Sequence, residues 1–474
     1  MHVVSSMALT VNQKLSYSIA RFGTSIAINM TDLLTGFMYY AFFGLSKSPF
    51  LAFLGVAIGK LFIAFSSYFG GYFSDATKSR WGRRKPWIFI GAPIMALSYF
   101  FLFTPHIWLA GVTNEYIIFG WLLVFNTLFQ TLYGVVLTPY QSWLPEIASE
   151  SEWLDVSGYQ NVVNILAFTL GAGTAFLIPA LITSRPDKTI NFAAKMKFLP
   201  LSNGLFLTIV VTLFTLCIVI FFIPCLRLSI QEEFKPNPNI IDELRVVLKN
   251  KNFLGWVLSR GVFTITLSGL IGIVLAWATD VLDFGTFNYI IIGLILLVSV
   301  FVFINYWVRF GNKYGKTKTY IYAIGSLIFI LPLISFIGEV NLVLSPTILG
   351  FIFGFLIAIG LAGYYVLPYA IVADIIKADQ IDTGDTSRAG LYYGFEALTL
   401  NFFQFIGYLL LGILLSLPKI TNYLGTKFSE GYPIFGVLSS FFVIISVFIF
   451  IKYVNADPSK TDLEHLKEKS AWND

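Results

Sequence analysis

The sequence contains a long series of apolar stretches, and these constrain the fold more than any other feature. Each is long enough, at roughly 20 residues, to cross a hydrocarbon core about 30 Å thick as a helix. Six lie before a charged gap, near residues 18–43, 49–73, 87–105, 116–141, 158–183 and 204–225. Six more follow it, near residues 254–279, 286–308, 319–338, 346–370, 390–417 and 431–453. We therefore predict an all-α integral membrane protein with twelve transmembrane helices.

The composition agrees with this prediction. Only 12% of the 474 residues are charged and 57% are hydrophobic, whereas about a quarter of the residues in a soluble domain are charged. The net charge of +5 comes from short basic loops, and no basic stripe with interleaved aromatic residues indicates nucleic-acid binding. Cys217 and Cys225 lie in one apolar segment without a CxxC pattern, so we expect neither a disulfide nor a metal site.

The charged gap divides the spans into two halves. We predict a first half at 1–226, a linker with an amphipathic helix at 227–253, and a second half with a tail at 254–474. Basic loops collect on the cytoplasmic side of a membrane. Because the loops after the second and eighth spans, the linker and both tails are basic, both termini are predicted to lie in the cytoplasm. The basic segment 184–203 falls outside the cell in this topology and is an exception to the rule.

A turn with glycine and basic residues recurs at the same place in each half. The segment Gly71–Lys85 follows the second span, and Phe310–Lys316 follows the eighth. Such duplication is typical of secondary transporters, whose binding site is expected near mid-membrane where the halves meet. We expect Gly71 to allow close helix approach and Asp75 to pair with Arg83 or Arg84 as a gate. The alternative is that the basic cluster is only a membrane anchor.

The segment Gly71–Gly91, GYFSDATKSRWGRRKPWIFIG, resembles the loop motif of the major facilitator superfamily. Its portion Ser79–Trp87 is similar, more narrowly, to the glycoside–pentoside–hexuronide:cation symporters, the family of melibiose permease. The segments Leu137–Glu146 and Val372–Ile376 match this family in position. The resemblance implies the major facilitator fold with two six-helix halves, transport of sugars together with a cation, and a gating role for Asp75.

The sequence departs from the family where melibiose-permease-like members bind their cation and sugar. The family's acidic positions in the first, second and fourth helices fall on uncharged residues: Ser25, Ile63, Ser67 and Leu137. Its lysine in the eleventh span falls on Phe402. A sodium site of the family type is therefore not recognisable, and we predict a proton as the coupling ion.

This chain has charged residues of its own well within the spans: Asp32, Lys60 and Glu396. Each costs about 2.5–3.5 kcal/mol to place at a helix centre, so such residues are usually functional. We predict Asp32 as the leading proton site with Lys60 as its partner, and Glu396 as a second proton site; a purely structural Asp32–Lys60 ion pair is the alternative. Arg260 lies near the predicted end of its span, where snorkelling explains it.

Amide and hydroxyl side chains form polar stripes along several spans. Each hydroxyl of a dehydrated polyol needs a hydrogen-bond partner, so these stripes suit a neutral sugar, and tyrosine rings can stack on it. The competing interpretations are bridging between helices for the amides and packing for the tyrosines. The predicted substrate site comprises Asn29, Asp32, Tyr39, Lys60, Asn126, Gln130, Tyr133, Gln160, Asn164, Tyr365 and Glu396.

We predict a secondary active transporter of a sugar or glycoside in the cell membrane, a monomer with no cofactor other than its coupling proton. No nucleotide loop, HExxH motif or nucleophile elbow indicates an enzyme. One alternative is a lipid or organic-anion carrier of the same fold, because a central lysine suits an anionic headgroup. Alternatives of another class are a polytopic membrane enzyme and a sensor that binds sugar without moving it.

Overall fold

The computed structural model describes residues 9–147, 150–183, 222–225, 245, 247–338, 344–383, 389–421 and 425–455. The chain divides into two compact units, Met1–Asn237 and Pro238–Asp474.

The first unit is built from helices whose starts follow local sequence signals. They are α1 Val11–Ser18, α2 Ala20–Ala41, α3 Pro49–Ala76, α4 Lys85–Phe103, α5 Pro105–Trp108, α6 Glu115–Gln141, α7 Leu144–Ile147 and α8 Glu150–Thr183. Pro49 opens α3, where its missing N–H needs no partner. The side chain of Asn114 caps α6 by accepting a hydrogen bond from the Tyr116 N–H.

The second unit contains seven further helices and a short hairpin in its described residues. They are α9 Lys251–Asp280, α10 Thr286–Tyr314, α11 Lys316–Ile330, α12 Leu333–Phe336, α13 Pro346–Thr383, α14 Ala389–Leu415, β1 Lys419–Thr421, β2 Lys427–Ser429 and α15 Gly431–Tyr453. Asn250 caps α9 through the Phe253 N–H. The two strands pair antiparallel between α14 and α15, with Ile420 opposite Phe428.

Three helix pairings recur in the two units among the spans that the structure describes. In the first, α3 packs on α6, α4 packs on α6, and α2 packs on α8. In the second, α10 packs on α13, α11 packs on α13, and α9 packs on α14. The same rank order of spans is therefore paired in each unit, as the repeated sequence pattern indicates.

Several helices carry apolar side chains on their outer surface. Within the described ranges, nine helices are long and apolar enough to cross a membrane. On α3, four exposed phenylalanines follow helical spacing: Phe62, Phe65, Phe69 and Phe73. An apolar stripe of this kind faces lipid in a membrane-spanning helix.

The predicted spans and the observed helices agree in position for the described residues. Helices α2, α3, α4, α6 and α8 cover the first five predicted spans, and α9, α10, α11, α13, α14 and α15 cover the last six. The sixth predicted span, 204–225, lies outside the described residues except for 222–225. The β1–β2 hairpin was not predicted.

Candidate functional site

Asp32 and Lys60 form an ion pair between α2 and α3. Lys60 Nζ lies 2.5 Å from Asp32 Oδ1, and the two side chains are 2% and 20% exposed. Each residue is close to the middle of its helix, so the pair lies far from the helix ends. The two residues that the sequence analysis pairs are therefore in contact, as both the proton-site hypothesis and the structural alternative require.

Helix α6 adds amide groups beside this pair. The Gln130 side chain lies next to the Asp32 carboxylate. At Gly59, α3 is so close to α6 that an added Cβ atom would come within 3.0 Å of Gln130 Cγ. Asn126 is also fully buried and donates from Nδ2 to the Gly55 carbonyl, 2.9 Å away.

Several buried side-chain oxygens of α2 and α6 form no hydrogen bond with the described residues. Among the residues that the structure describes, the buried atoms Thr35 Oγ1, Asn126 Oδ1 and Gln130 Oε1 have no hydrogen-bond partner. A buried polar oxygen without a partner is costly, and it can mark a site for a polar ligand, water or an ion. Asp32, Lys60, Asn126 and Gln130 are called the α2–α3–α6 cluster below, and Thr35 lies about one turn after Asp32 on α2.

Asn29 and Asn164 lie at the contact between α2 and α8. The Ser25 hydroxyl donates to Asn164 Oδ1 at 2.5 Å, and Asn29 Nδ2 donates to the Ser25 carbonyl at 2.6 Å. Both asparagines are partly exposed. The bond from Ser25 to Asn164 joins the two helices, whereas the bond from Asn29 stays within α2.

Three predicted substrate residues are placed elsewhere. Tyr39 is fully buried and donates to the Leu102 carbonyl at 2.8 Å, so it packs α2 against α4 and is not an open stacking face. Gln160 donates to the Tyr140 hydroxyl at 3.0 Å. The Tyr133 ring packs near Phe129. We correct the interpretation of Tyr39 accordingly.

The gating segment follows α3. The Asp75 side chain is not described, so its predicted pairing with Arg83 or Arg84 stays a prediction. Arg84 is buried and donates to the Ser74 hydroxyl at 2.6 Å. Gly71 lies against α6, since an added Cβ would meet the Thr138 methyl at 3.1 Å.

Glu396 belongs to a separate cluster in the second unit. Arg260 Nη1 on α9 lies 2.6 Å from Glu396 Oε1 on α14, with 12% and 7% of their side chains exposed. The Trp256 indole N–H donates to the same oxygen at 2.7 Å. The Arg260 guanidinium also lies 5.4 Å from the centre of the Tyr364 ring.

This arrangement corrects the interpretation of Arg260. Snorkelling is not needed to explain this residue, because its guanidinium is paired with Glu396 inside the unit. The signal in the sequence was that Trp256 and Arg260 are four residues apart and so share a helix face.

The remaining features that the sequence predicts are Tyr365 on α13 and the second repeated turn. Tyr365 is partly exposed, with its ring 5.8 Å from that of Tyr364. In the turn after α10, Lys316 pairs with Asp374 on α13. In the described part of the chain, no group of three His, Cys, Asp or Glu residues is arranged to hold a metal ion.

Comparison with known proteins shows matches along nearly the whole chain. A family model described as MFS/sugar transport protein matches residues 20–455. The Sodium-dependent lysophosphatidylcholine symporter 1 of Xenopus tropicalis is 22% identical over 79% of this chain and 72% of its own. The Isoprimeverose transporter of Lactiplantibacillus pentosus is 22% identical over 85% of this chain and 80% of its own.

Solved structures show the same fold. The crystal structure of a D-xylose-proton symporter superposes with a TM-score of 0.61, covering 94% of this chain and 99% of that chain at 12% identity. At such identity, the likeness carries information about the fold alone.

Proposed function

The chain belongs to the MFS/sugar transport protein family, and on that premise we propose that it carries a sugar or glycoside across the membrane by alternating access, coupled to protons. The α2–α3–α6 cluster is the observation that carries this proposal. It places a charge pair and buried, unsatisfied oxygens deep between helices of one half. A polyol can satisfy such groups because each of its hydroxyls both donates and accepts hydrogen bonds.

The substrate would contact the cluster and the open surface of its neighbours. Lys60, Asn126 and Gln130 supply hydrogen-bonding groups at the centre, and Asn29 and Asn164 extend them toward α8. In the second half, the predicted substrate residues are Tyr365 and Glu396, and Glu396 is paired with Arg260. Relatives named for isoprimeverose and structures named for D-xylose support a sugar as the substrate.

Proton coupling would use Asp32. A protonated Asp32 loses its charge attraction to Lys60, which frees the ammonium to bind a substrate hydroxyl. Loss of the proton restores the pair and releases the substrate. Glu396 would be the second proton-coupling residue, since it forms an ion pair with Arg260 inside the second half.

The proposal also includes a cytoplasmic gate, the oligomeric state and the topology of the protein. Asp75, Arg83 and Arg84, with Gly71 at the α3–α6 contact, would hold the cytoplasmic side closed in one access state. The protein would act as a monomer in the cell membrane, with both termini in the cytoplasm and no catalytic activity.

A lysophospholipid is the second candidate substrate. Relatives named lysophosphatidylcholine symporters match 79% of this chain. Each half holds a cation that could bind a phosphate, Lys60 in the first and Arg260 in the second, and Arg260 lies beside the aromatic rings of Trp256 and Tyr364.

Counterflow in proteoliposomes tests both candidates. Purified protein is loaded with an unlabelled solute and given the labelled form outside, for a panel of pentosides, other glycosides and lysophosphatidylcholine. We expect transient accumulation of a glycoside, with no accumulation in protein-free liposomes. Exchange of lysophosphatidylcholine alone would replace the first candidate by the second. Binding of a glycoside without any exchange would identify a sensor instead of a carrier.

A further inference from the structure

We propose that α1, the short helix Val11–Ser18 before the first span, is part of the cytoplasmic gate. Tyr17 of α1 holds the end of α6 in place, and α6 in turn supports the segment Gly71–Lys85, called the gating segment. The inference rests on the proposed function in one respect, the gating role of that segment. All the helices involved belong to the first unit.

Two tyrosines join α1 to the end of α6. The Tyr17 hydroxyl donates to the Tyr140 carbonyl at 2.8 Å, and the Tyr140 hydroxyl donates to the Tyr17 carbonyl at 2.6 Å. Their rings are stacked with centroids 4.7 Å apart, and both side chains are fully buried. Each hydroxyl therefore binds a carbonyl in the last turn of the other helix, where the carbonyls lack their regular helical partner.

The end of α6 needs such support because a proline precedes it. Pro139 lies inside α6 and has no N–H, so the helical hydrogen bond to the carbonyl four residues earlier is missing. The final turn is therefore held in part by groups outside its own helix. Besides Tyr17, these groups include Gln160 of α8, whose Nε2 donates to the Tyr140 hydroxyl at 3.0 Å.

Two contacts connect this end of α6 with the gating segment. The Thr138 methyl lies against Gly71, since an added Cβ there would meet it at 3.1 Å. Lys85 Nζ lies 5.7 Å from the centre of the Trp143 ring, within the range of a cation–π contact. The Tyr17 ring packs edge-on against the same indole, with centroids 6.4 Å apart. Loss of the contact with α1 therefore frees the end of α6 to move away from the gating segment.

Cysteine labelling measures whether α1 keeps this side closed. Thr138→Cys, in a variant without the native cysteines, reports access to the contact with Gly71. The assay uses inverted membrane vesicles, which expose the predicted cytoplasmic side to an impermeant maleimide. Tyr17→Phe keeps the aromatic ring and removes only the hydroxyl. We expect it to raise the labelling rate about fivefold, because a buried hydrogen bond that stabilises the closed state is lost.

Tyr39→Phe is the matched control. Tyr39 also donates a buried hydrogen bond to a carbonyl near the end of a helix, that of Leu102 at 2.8 Å, but it lies at the end of α2 remote from α1. Both variants should lose a similar amount of Tm, whereas only Tyr17→Phe should increase labelling. Tyr140→Phe is the second test variant, because it removes the reciprocal bond, and its labelling should rise as well. It also serves where Tyr17→Phe is not recovered.

Two results would overturn the inference: wild-type labelling rates in the folded Tyr17→Phe and Tyr140→Phe variants, or an equal increase in Tyr39→Phe, which would indicate general loosening. The assay contains no sugar, so its outcome does not depend on the substrate. Asp75→Asn in the same background tests the proposed gate separately. A wild-type labelling rate in Asp75→Asn would remove Asp75 from that gate, and the result for Tyr17→Phe would still stand.

Discussion

The residue with the largest consequence is Asp32, because burial makes it dependent on Lys60. Removal of one partner from a buried ion pair leaves an uncompensated charge and costs about 3–5 kcal/mol. The Lys60 side chain is 2% exposed and the Asp32 side chain 20%, so the loss of either charge would leave its partner unpaired inside the protein.

Replacement of Asp32 tests whether it couples proton movement to uptake. Asp32→Asn has the shape of the carboxyl group but cannot exchange a proton, so accumulation along a pH gradient should be abolished. Counterflow in the same proteoliposomes should continue at a reduced rate. Asp283→Asn, a change in the short segment between α9 and α10, is the matched control and should leave both assays unchanged. If Asp32→Asn still concentrates the solute, its carboxylate is structural.

The sequence predicts the Asp32–Lys60 pair of the first half but not the Arg260–Glu396 pair of the second half. Asp32 and Lys60 stand alone in apolar helices, so each needs a partner and few are available. Arg260 was misjudged because α9 begins at Lys251, earlier than its apolar window. Nine residues of helix place Arg260 about 13 Å from that start. A hydropathy window cannot detect polar helical turns outside the hydrocarbon.

Among the elements, α3 and α6 form the contact on which the α2–α3–α6 cluster depends. An added Cβ at Gly134 of α6 would lie 2.7 Å from the backbone nitrogen of Ser67 on α3. Backbone cannot move aside as a flexible side chain can, so the helices would have to separate. The polar atoms of Gln130 and Asn126, one and two turns earlier on α6, would then lose their positions beside α3.

Gly134→Ala should therefore destabilise the protein by about 1–3 kcal/mol, as other over-packed cores are destabilised. Gly120→Ala on the same helix is the matched control, since an added Cβ there meets nothing within 4 Å. The control should be neutral or stabilising by up to about 1 kcal/mol through helix propensity. The Tm values of the two variants are measured in detergent by tryptophan fluorescence. Equal Tm values for the two variants would show that α3 and α6 can separate at this contact at little cost in stability.

Element positions were predictable because long apolar windows have one stable solution in a bilayer. Their ends were less predictable: α13 continues to Thr383, past its predicted end at 370. The β1–β2 hairpin was missed because strands of three residues are too short to show a period. The repeated turn was the stronger signal, since Gly82 and Gly315 both adopt positive φ, at 89° and 88°.

For the whole molecule, the duplicated helix pairing sets the expected topology. Two units of six predicted spans each would place the chain on the same side of the membrane before and after each unit. The linker and both tails would then share one side, which their basic residues predict to be the cytoplasm. The basic segment 184–203 is predicted to lie on the other side. The sixth predicted span must therefore cross the membrane for this topology to hold.

Labelling of single cysteines tests that topology. Lys188→Cys and Lys249→Cys are each introduced into a variant whose native cysteines, Cys217 and Cys225, are replaced by alanine. Lys249 is exposed, and an impermeant maleimide should reach it only after the membrane is opened, whereas Lys188→Cys should react in intact cells. The cysteine-free protein is the control for background labelling.

The two positions lie on opposite sides only if an odd number of spans separates them, and span 204–225 is the single candidate between them. Labelling of both positions from the same side would therefore remove that span and reduce the count below twelve.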